Sequence, residues 1–186
     1  MRIVIIGASG SGKSTLAARL AQALELPCES LDTLNFNRKA GRIQVAGYEQ
    51  RVARAKGLAD ESQWLCEGNY LGWVDPLFER ASMIVHLQGS LLLSLRRVLW
   101  RHTVLSVRGT NPYPSWVRLV RFCYYIVMQH LNRLEPYTEL DVPLGPASTL
   151  RELAPHAHKV LRVTAALPTA AQVSLIRQRL GGLVAD

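Results

Sequence analysis

The sequence predicts an α/β fold in which five short strands form a parallel sheet flanked by helices. Three observations predict it. Arg2 to Ile6 (RIVII) is a continuous, mostly β-branched run, as a strand buried on both faces requires. Gly7 to Gly12 then breaks that run and delivers the chain into an apolar-striped helix. Farther on, short apolar runs alternate with longer amphipathic stretches, the pattern of strands joined by crossover helices.

The elements follow in order. Ser14 to Leu24 reads as a helix with Leu16, Leu20, Ala23 and Leu24 on one stripe. Cys28 to Leu31 is a second strand ending at Asp32, and Tyr48 to Glu61 a helix with Val52, Ala55 and Ala59 on its inner face. Trp64 to Cys66 is a third strand. Asp75, before Pro76, reads as a helix cap. Met83 to Leu87 is a fourth strand, followed by a helix over Leu91 to Leu105 and a loop over Arg108 to Pro114. Pro114 suits the first turn of the next helix, which runs to about Arg133. Its packing stripe reads as Val117, Val120, Tyr124, Val127, Met128 and Leu131. Leu150 to His156 is a short helix, Lys159 to Val163 a fifth strand, and Thr169 to Leu180 a closing helix that stops at Gly181-Gly182.

Composition excludes several classes. The 186 residues, 48% hydrophobic and 19% charged, suit one globular domain over 1–186, without repeats or a linker. The three cysteines are far apart and form no CxxC, which points to a reducing cytoplasm and away from a zinc site. The five histidines lack metal-ligand spacing; His156 and His158 alone make no site. MRIVIIG is too short for a signal-peptide core, and no apolar run reaches the ~20 residues of a membrane span, so no membrane partner is expected. The net charge is +8, and it is concentrated. From Arg80 to Leu134 there are eight arginines with no lysine and no acid, while the rest of the chain carries fourteen basic and fourteen acidic residues. Arginine offers a planar fork suited to phosphate.

Gly7-Ala-Ser-Gly-Ser-Gly-Lys13-Ser14 matches the phosphate-binding pattern G-x-x-x-x-G-K-[ST], between a strand and a helix as that pattern demands. Glycines at 7, 10 and 12 let backbone N–H groups of Ser9 through Thr15 curl around a phosphate. The helix N-terminus adds free donors and the positive end of its dipole. Lys13 reaches the β- and γ-phosphates and the Ser14 hydroxyl suits Mg²⁺. A nucleotide triphosphate is the expected ligand.

In parallel sheets ligands gather at the carboxyl ends of strands, where Asp32 and Glu67 fall. Asp32 suits orienting or deprotonating an acceptor hydroxyl, or else caps the following turn; Glu67 suits the surroundings of the metal, or else simply ends a strand. Gly68 would leave room for a ligand. Arg97 and Arg101, four apart on one helical face, suit stabilising a migrating phosphoryl group, with Arg108 behind them at a loop; a solvated basic face is the competing reading.

Three stretches, IVIIGASGSGKSTLAARLA, SLDTLNF (30–36) and WLCEGNY (64–70), resemble the adenylate-kinase-related P-loop kinases, most closely the topology modulation proteins. LRRVLWR (95–101) is similar to that group's arginine-bearing segment. The resemblance implies a P-loop kinase fold with sheet order 2-3-1-4-5, use of ATP and Mg²⁺, and a helical, arginine-bearing lid, here about residues 96–134. Glu67 stands where the group has Asp, and Gln88 where an Asp is frequent.

Two functions fit. One is an ATP-dependent kinase acting on a small-molecule acceptor, of nucleoside or nucleotide type. The other is a regulatory ATP-binding protein whose basic segment, with Trp116, Arg118, Arg121, Phe122, Tyr124 and Tyr125, contacts DNA or RNA.

Overall fold

The structure is a computed structural model and describes residues 1–39, 42–111, 114–136 and 138–184. The chain runs β1 (Arg2–Ile6), α1 (Lys13–Leu24), β2 (Cys28–Ser30), α2 (Leu31–Asn35), β3 (Phe36–Lys39), β4 (Arg42–Val45) and α3 (Tyr48–Asp60). It continues through β5 (Trp64–Gly68), α4 (Asp75–Arg80), β6 (Met83–Gln88), α5 (Leu91–Val107), α6 (Trp116–His130) and α7 (Pro146–Leu153). A 3₁₀ turn (Ala154–Lys159), β7 (Val160–Thr164) and α8 (Thr169–Val184) complete it.

Five strands form one parallel sheet in the order β2-β5-β1-β6-β7. Counting only those strands, this is the expected order 2-3-1-4-5. The central strand explains its own sequence. Ile3 and Ile5 pack under α1 and α8 with Leu16, Leu20 and Ile176, whereas Val4 and Ile6 join Trp64, Trp73, Leu77 and Phe78 on the opposite face. A strand covered on both faces has no polar side to show.

Several local expectations are corrected. The inner stripe of α1 is Leu16, Ala17, Leu20 and Ala21, and Ala23 is exposed. The second strand stops at Ser30, whose hydroxyl accepts from Asp32 N–H and starts α2 at Leu31. Phe36–Lys39 and Arg42–Val45, too polar to read as strands, pair antiparallel as β3 and β4. Pro114 lies before α6, which is capped by the Ser115 hydroxyl. Asp75 opens α4 without a side-chain capping bond; burial and the nearby Glu152 and Glu79 push its carboxyl up to about 6. Val52 on α3 is only half-buried, and Arg51 takes the buried position beside Ala55.

The largest correction concerns α6. Leu119, Ile126 and Gln129 are its buried residues, the first two packed with Val98 of α5, while Val117, Val120, Tyr124 and Leu131 are exposed. Apolar residues occupy both sides of this helix, so periodicity alone could not choose the face. No helix among the described residues is long and apolar enough to cross a membrane.

One buried ion pair ties distant segments together. The Arg51 guanidinium, fully buried, donates to both carboxylate oxygens of Asp141 at 2.8 and 3.1 Å and to Asn35 Oδ1 at 3.3 Å. Tyr48 and Trp73 flank it, their ring centroids 5.6 and 5.7 Å from the guanidinium carbon. Asp141→Ala would strand this cation, at a cost of about 3–5 kcal/mol. Urea melts should show that loss, and an Arg51→Met/Asp141→Leu double variant should recover most of it. Equal midpoints for parent and single variant would refute the role.

Candidate active site

The loop between β1 and α1 lies at the carboxyl edge of the sheet. Gly10 and Gly12 take left-handed backbone conformations, with φ of 78° and 98°, which side chains rarely tolerate. Gly12 is also the N-cap of α1, so Lys13 is its first residue. The first-turn N–H groups of α1 have no partners within the helix, and its dipole is positive there. A cavity of about 340 Å³ is lined by Gly10, Ser11, Gly12, Lys13, Ser14, Thr15, Arg97, Val98, Arg101, Thr169 and Gln172. The structure thus brings most of the sequence-derived set together. Gly7, Ser9, Asp32, Glu67 and Arg108 are outside this lining.

Lys13 is buried, and its ammonium donates to Ala8 O at 3.0 Å. Burial pulls its pKa below the usual lysine value, while Glu67 and Asp32 pull it back up. Both acids therefore act on the loop cation.

Glu67 is placed by strand register. It lies opposite Ile5 of β1 on one side and Ser30 of β2 on the other. Its Oε1 accepts from Ser14 Oγ at 3.1 Å and from Ser30 Oγ at 3.2 Å. The Ser14 hydroxyl and the Glu67 carboxylate are a hard oxygen pair of the kind Mg²⁺ takes alongside substrate phosphates. Among the described residues there is no group of three or more His, Cys, Asp or Glu arranged to hold a metal by itself. Gly68 leaves no room for a ligand: a Cβ there would come within 2.7 Å of Leu31 Cβ. Its smallness lets α2 close on β5.

Asp32 sits in the first turn of α2, exposed, and its Oδ1 accepts from Tyr70 O–H at 2.6 Å. Sequence reasoning missed Tyr70. The residue was visible at the end of WLCEGNY, but nothing local paired it with Asp32.

The arginines separate. Arg97 donates to Ser11 O, and to Ala165 O at 2.7 Å, joining the phosphate loop to the β7–α8 connection. Arg101, one turn later, is exposed and lines the same cavity. Arg108 is exposed at the end of α5. A further residue escaped the sequence altogether: Gln129 of α6 accepts from Ser9 N–H through Oε1 at 2.9 Å.

Arg97→Ala should free two carbonyls that a cation now holds, lowering stability by about 2–4 kcal/mol. At this chain length that is a fall in Tm of roughly 5–10 °C by calorimetry. Arg101→Ala should leave Tm unchanged. A reversed ranking would show that Arg97 does not brace the loop.

No family model matches the chain and no curated protein matches it. Solved structures do. Shikimate kinase from Aquifex aeolicus vf5 superposes with a TM-score of 0.54 at 16% identity, covering 99% of this chain and 98% of that one. A gluconokinase from Sinorhizobium meliloti 1021 gives 0.51 at 19%, covering 98% and 96%. A sugar kinase from Janibacter sp. HTCC2649 gives 0.54 at 17%, covering 97% and 94%. The chain accordingly has the α/β fold of P-loop kinases, built on a five-stranded parallel sheet with helices on both faces.

Proposed function

We propose that this chain is an ATP-dependent kinase that transfers the γ-phosphoryl group to a hydroxyl of a small molecule. The observation that carries the reading is the Ser14–Glu67 hydrogen bond beside the phosphate loop. A phosphate-binding loop alone holds an anion. A carboxylate registered by β5 against the loop's own serine builds the further place that phosphoryl transfer needs.

In this reading the loop amides and Lys13 grip the β- and γ-phosphates, and the α1 N-terminus faces the same charge. Mg²⁺, held by Ser14 and Glu67, supplies neutralisation of phosphate charge when bound. Asp32, its orientation fixed by Tyr70, accepts the proton of the acceptor hydroxyl. The hydroxyl oxygen forms a bond to the γ-phosphorus as the bond from that phosphorus to the bridging oxygen breaks, leaving ADP and a phosphate ester. Arg101 faces the charge that spreads over the migrating group, and Arg97 keeps the loop in shape for it. SLDTLNF and WLCEGNY support membership of the topology modulation group; an acceptor of nucleoside or nucleotide type is the finer expectation of the kinase reading.

A second reading has one observation in its favour. Trp116, Val120 and Tyr124 are exposed on α6 together with Arg118 and Arg121, an arrangement that could stack bases and contact phosphates.

One set of assays separates them. Lys13→Ala should keep the parent's circular dichroism and lose ATP affinity and transfer by at least ~100-fold. Asp32→Asn should retain ATP affinity and lose kcat. Oligonucleotide binding, titrated with salt, should be weak throughout; tight binding with a steep salt slope and no ADP release with any acceptor would favour the second reading.

A further inference from the structure

A second cavity, of about 230 Å³, lies against the phosphate loop at the carboxyl ends of β1, β5 and β6. Ala8, Asn69, His86, Gln129, His130 and Thr149 contribute to its wall. None of its described lining residues is charged. Its size is below the ~300 Å³ at which drug-sized sites begin, so its occupant is a small molecule.

Four nitrogen atoms on this wall are buried without a hydrogen-bond partner among the described residues: Asn69 Nδ2, His86 Nδ1, Gln129 Nε2 and His130 Nε2. Gln129 is 1% exposed and His86 8%. Native interiors leave few such atoms unpaired, and four on one wall point to a polar occupant.

Their chemistry describes that occupant. Asn69 and Gln129 offer amide donors. His130 Nδ1 lies 2.9 Å from Ile126 O, which can only accept, so Nδ1 carries the proton and Nε2 presents a lone pair in the neutral ring. Burial and the nearby Arg162 hold His86 below the usual histidine pKa, which also favours a neutral ring. Neutral donors and acceptors side by side match hydroxyl groups, each of which donates one bond and accepts others. No lysine or arginine is among the described lining residues to pair with a carboxylate or phosphate. The Gln129 side chain connects this wall to the loop, because Gln129 lines the cavity and its Oε1 takes Ser9 N–H, while its Nε2 has no partner.

We propose that this cavity binds the phosphate acceptor, and that the acceptor is an uncharged, hydroxyl-rich small molecule of the sugar, cyclitol or nucleoside class. The assignment of the occupant as acceptor rests on the kinase reading, whose base, Asp32, does not itself line the cavity and is held by Tyr70, the residue after Asn69 of the wall; the binding preference does not rest on it. It narrows the nucleoside-or-nucleotide expectation to the uncharged member.

Matched pairs test it on the full-length protein: glucose with gluconate, adenosine with AMP, and inositol with inositol monophosphate. Binding is read by ligand-observed NMR with the nucleotide site saturated by a non-hydrolysable ATP analogue, so that AMP reports on the acceptor cavity alone. At least one uncharged member should bind tenfold or more tightly than its charged partner. Asn69→Leu and His130→Leu, each shown to be folded by circular dichroism, should lower that affinity at least tenfold. Charged members binding equally or better, or no uncharged member binding the parent at about 1 mM, would overturn the proposal. ADP release is scored separately. An uncharged ligand that binds without ADP release in the presence of ATP removes the kinase reading and leaves the site standing. Release with charged acceptors alone removes the site and leaves the kinase reading.

Discussion

The architecture turns on one constraint: six residues must carry the chain from a strand buried on both faces into a helix packed against the same sheet. Ile6 ends β1 and Lys13 begins α1. A turn that tight, with two positive-φ glycines, leaves backbone N–H groups facing the sheet edge with no internal partner. Much of the neighbourhood answers that shortage or props the turn. Gln129 satisfies one amide, Arg97 binds a loop carbonyl, and Lys13 folds back onto another. Glu67 reaches Ser14 only because β5 pairs in register with β1.

The arginine-rich stretch becomes intelligible against that constraint. Its eight arginines form no single clamp. Arg97 is spent on two backbone carbonyls, Arg101 faces the cavity, and Arg108, Arg118, Arg121 and Arg133 are exposed. A guanidinium can hold two carbonyls at once because its donors are fixed in a fork, which a lysine could not do with the same geometry. An arginine-only segment therefore serves bracing and phosphate contact with one residue type.

What was legible in the sequence was whatever local pattern encodes. Three of the five sheet strands, β1, β5 and β6, were readable because double-sided burial leaves near-continuous apolar runs, and the phosphate loop because its backbone geometry demands glycine at fixed spacing. The β3 and β4 pair was unreadable: its strands are mostly polar, and Ile43 and Val45 remain exposed even when paired. Arg51 and Asp141, ninety residues apart, carry no local sign of each other. The same holds for Tyr70 with Asp32 and for Gln129 with Ser9. Such pairs are properties of the closed sheet, and only strand order brings them together. For α6 the sequence was ambiguous in principle, because a helix apolar on both sides has no periodic preference for either.

That ambiguity is resolved in an instructive direction. An aliphatic and aromatic stripe from Val117 to Leu131 was available for burial, yet the helix buries Leu119, Ile126 and Gln129. Hydrophobic burial alone would favour the richer stripe. The face chosen is the one that delivers a side-chain carbonyl to Ser9 N–H, while the same amide's nitrogen is buried without a partner on a residue of the cavity wall. A half-satisfied buried amide is costly in an empty fold and useful in an occupied one. The cations of the site stand on the loop side, where a triphosphate's charge would be, and the opposite wall carries amides and imidazoles. An anionic acceptor would need a cation on that wall; a hydroxyl-rich acceptor needs only the hydrogen-bonding groups that α6 and β6 already present there.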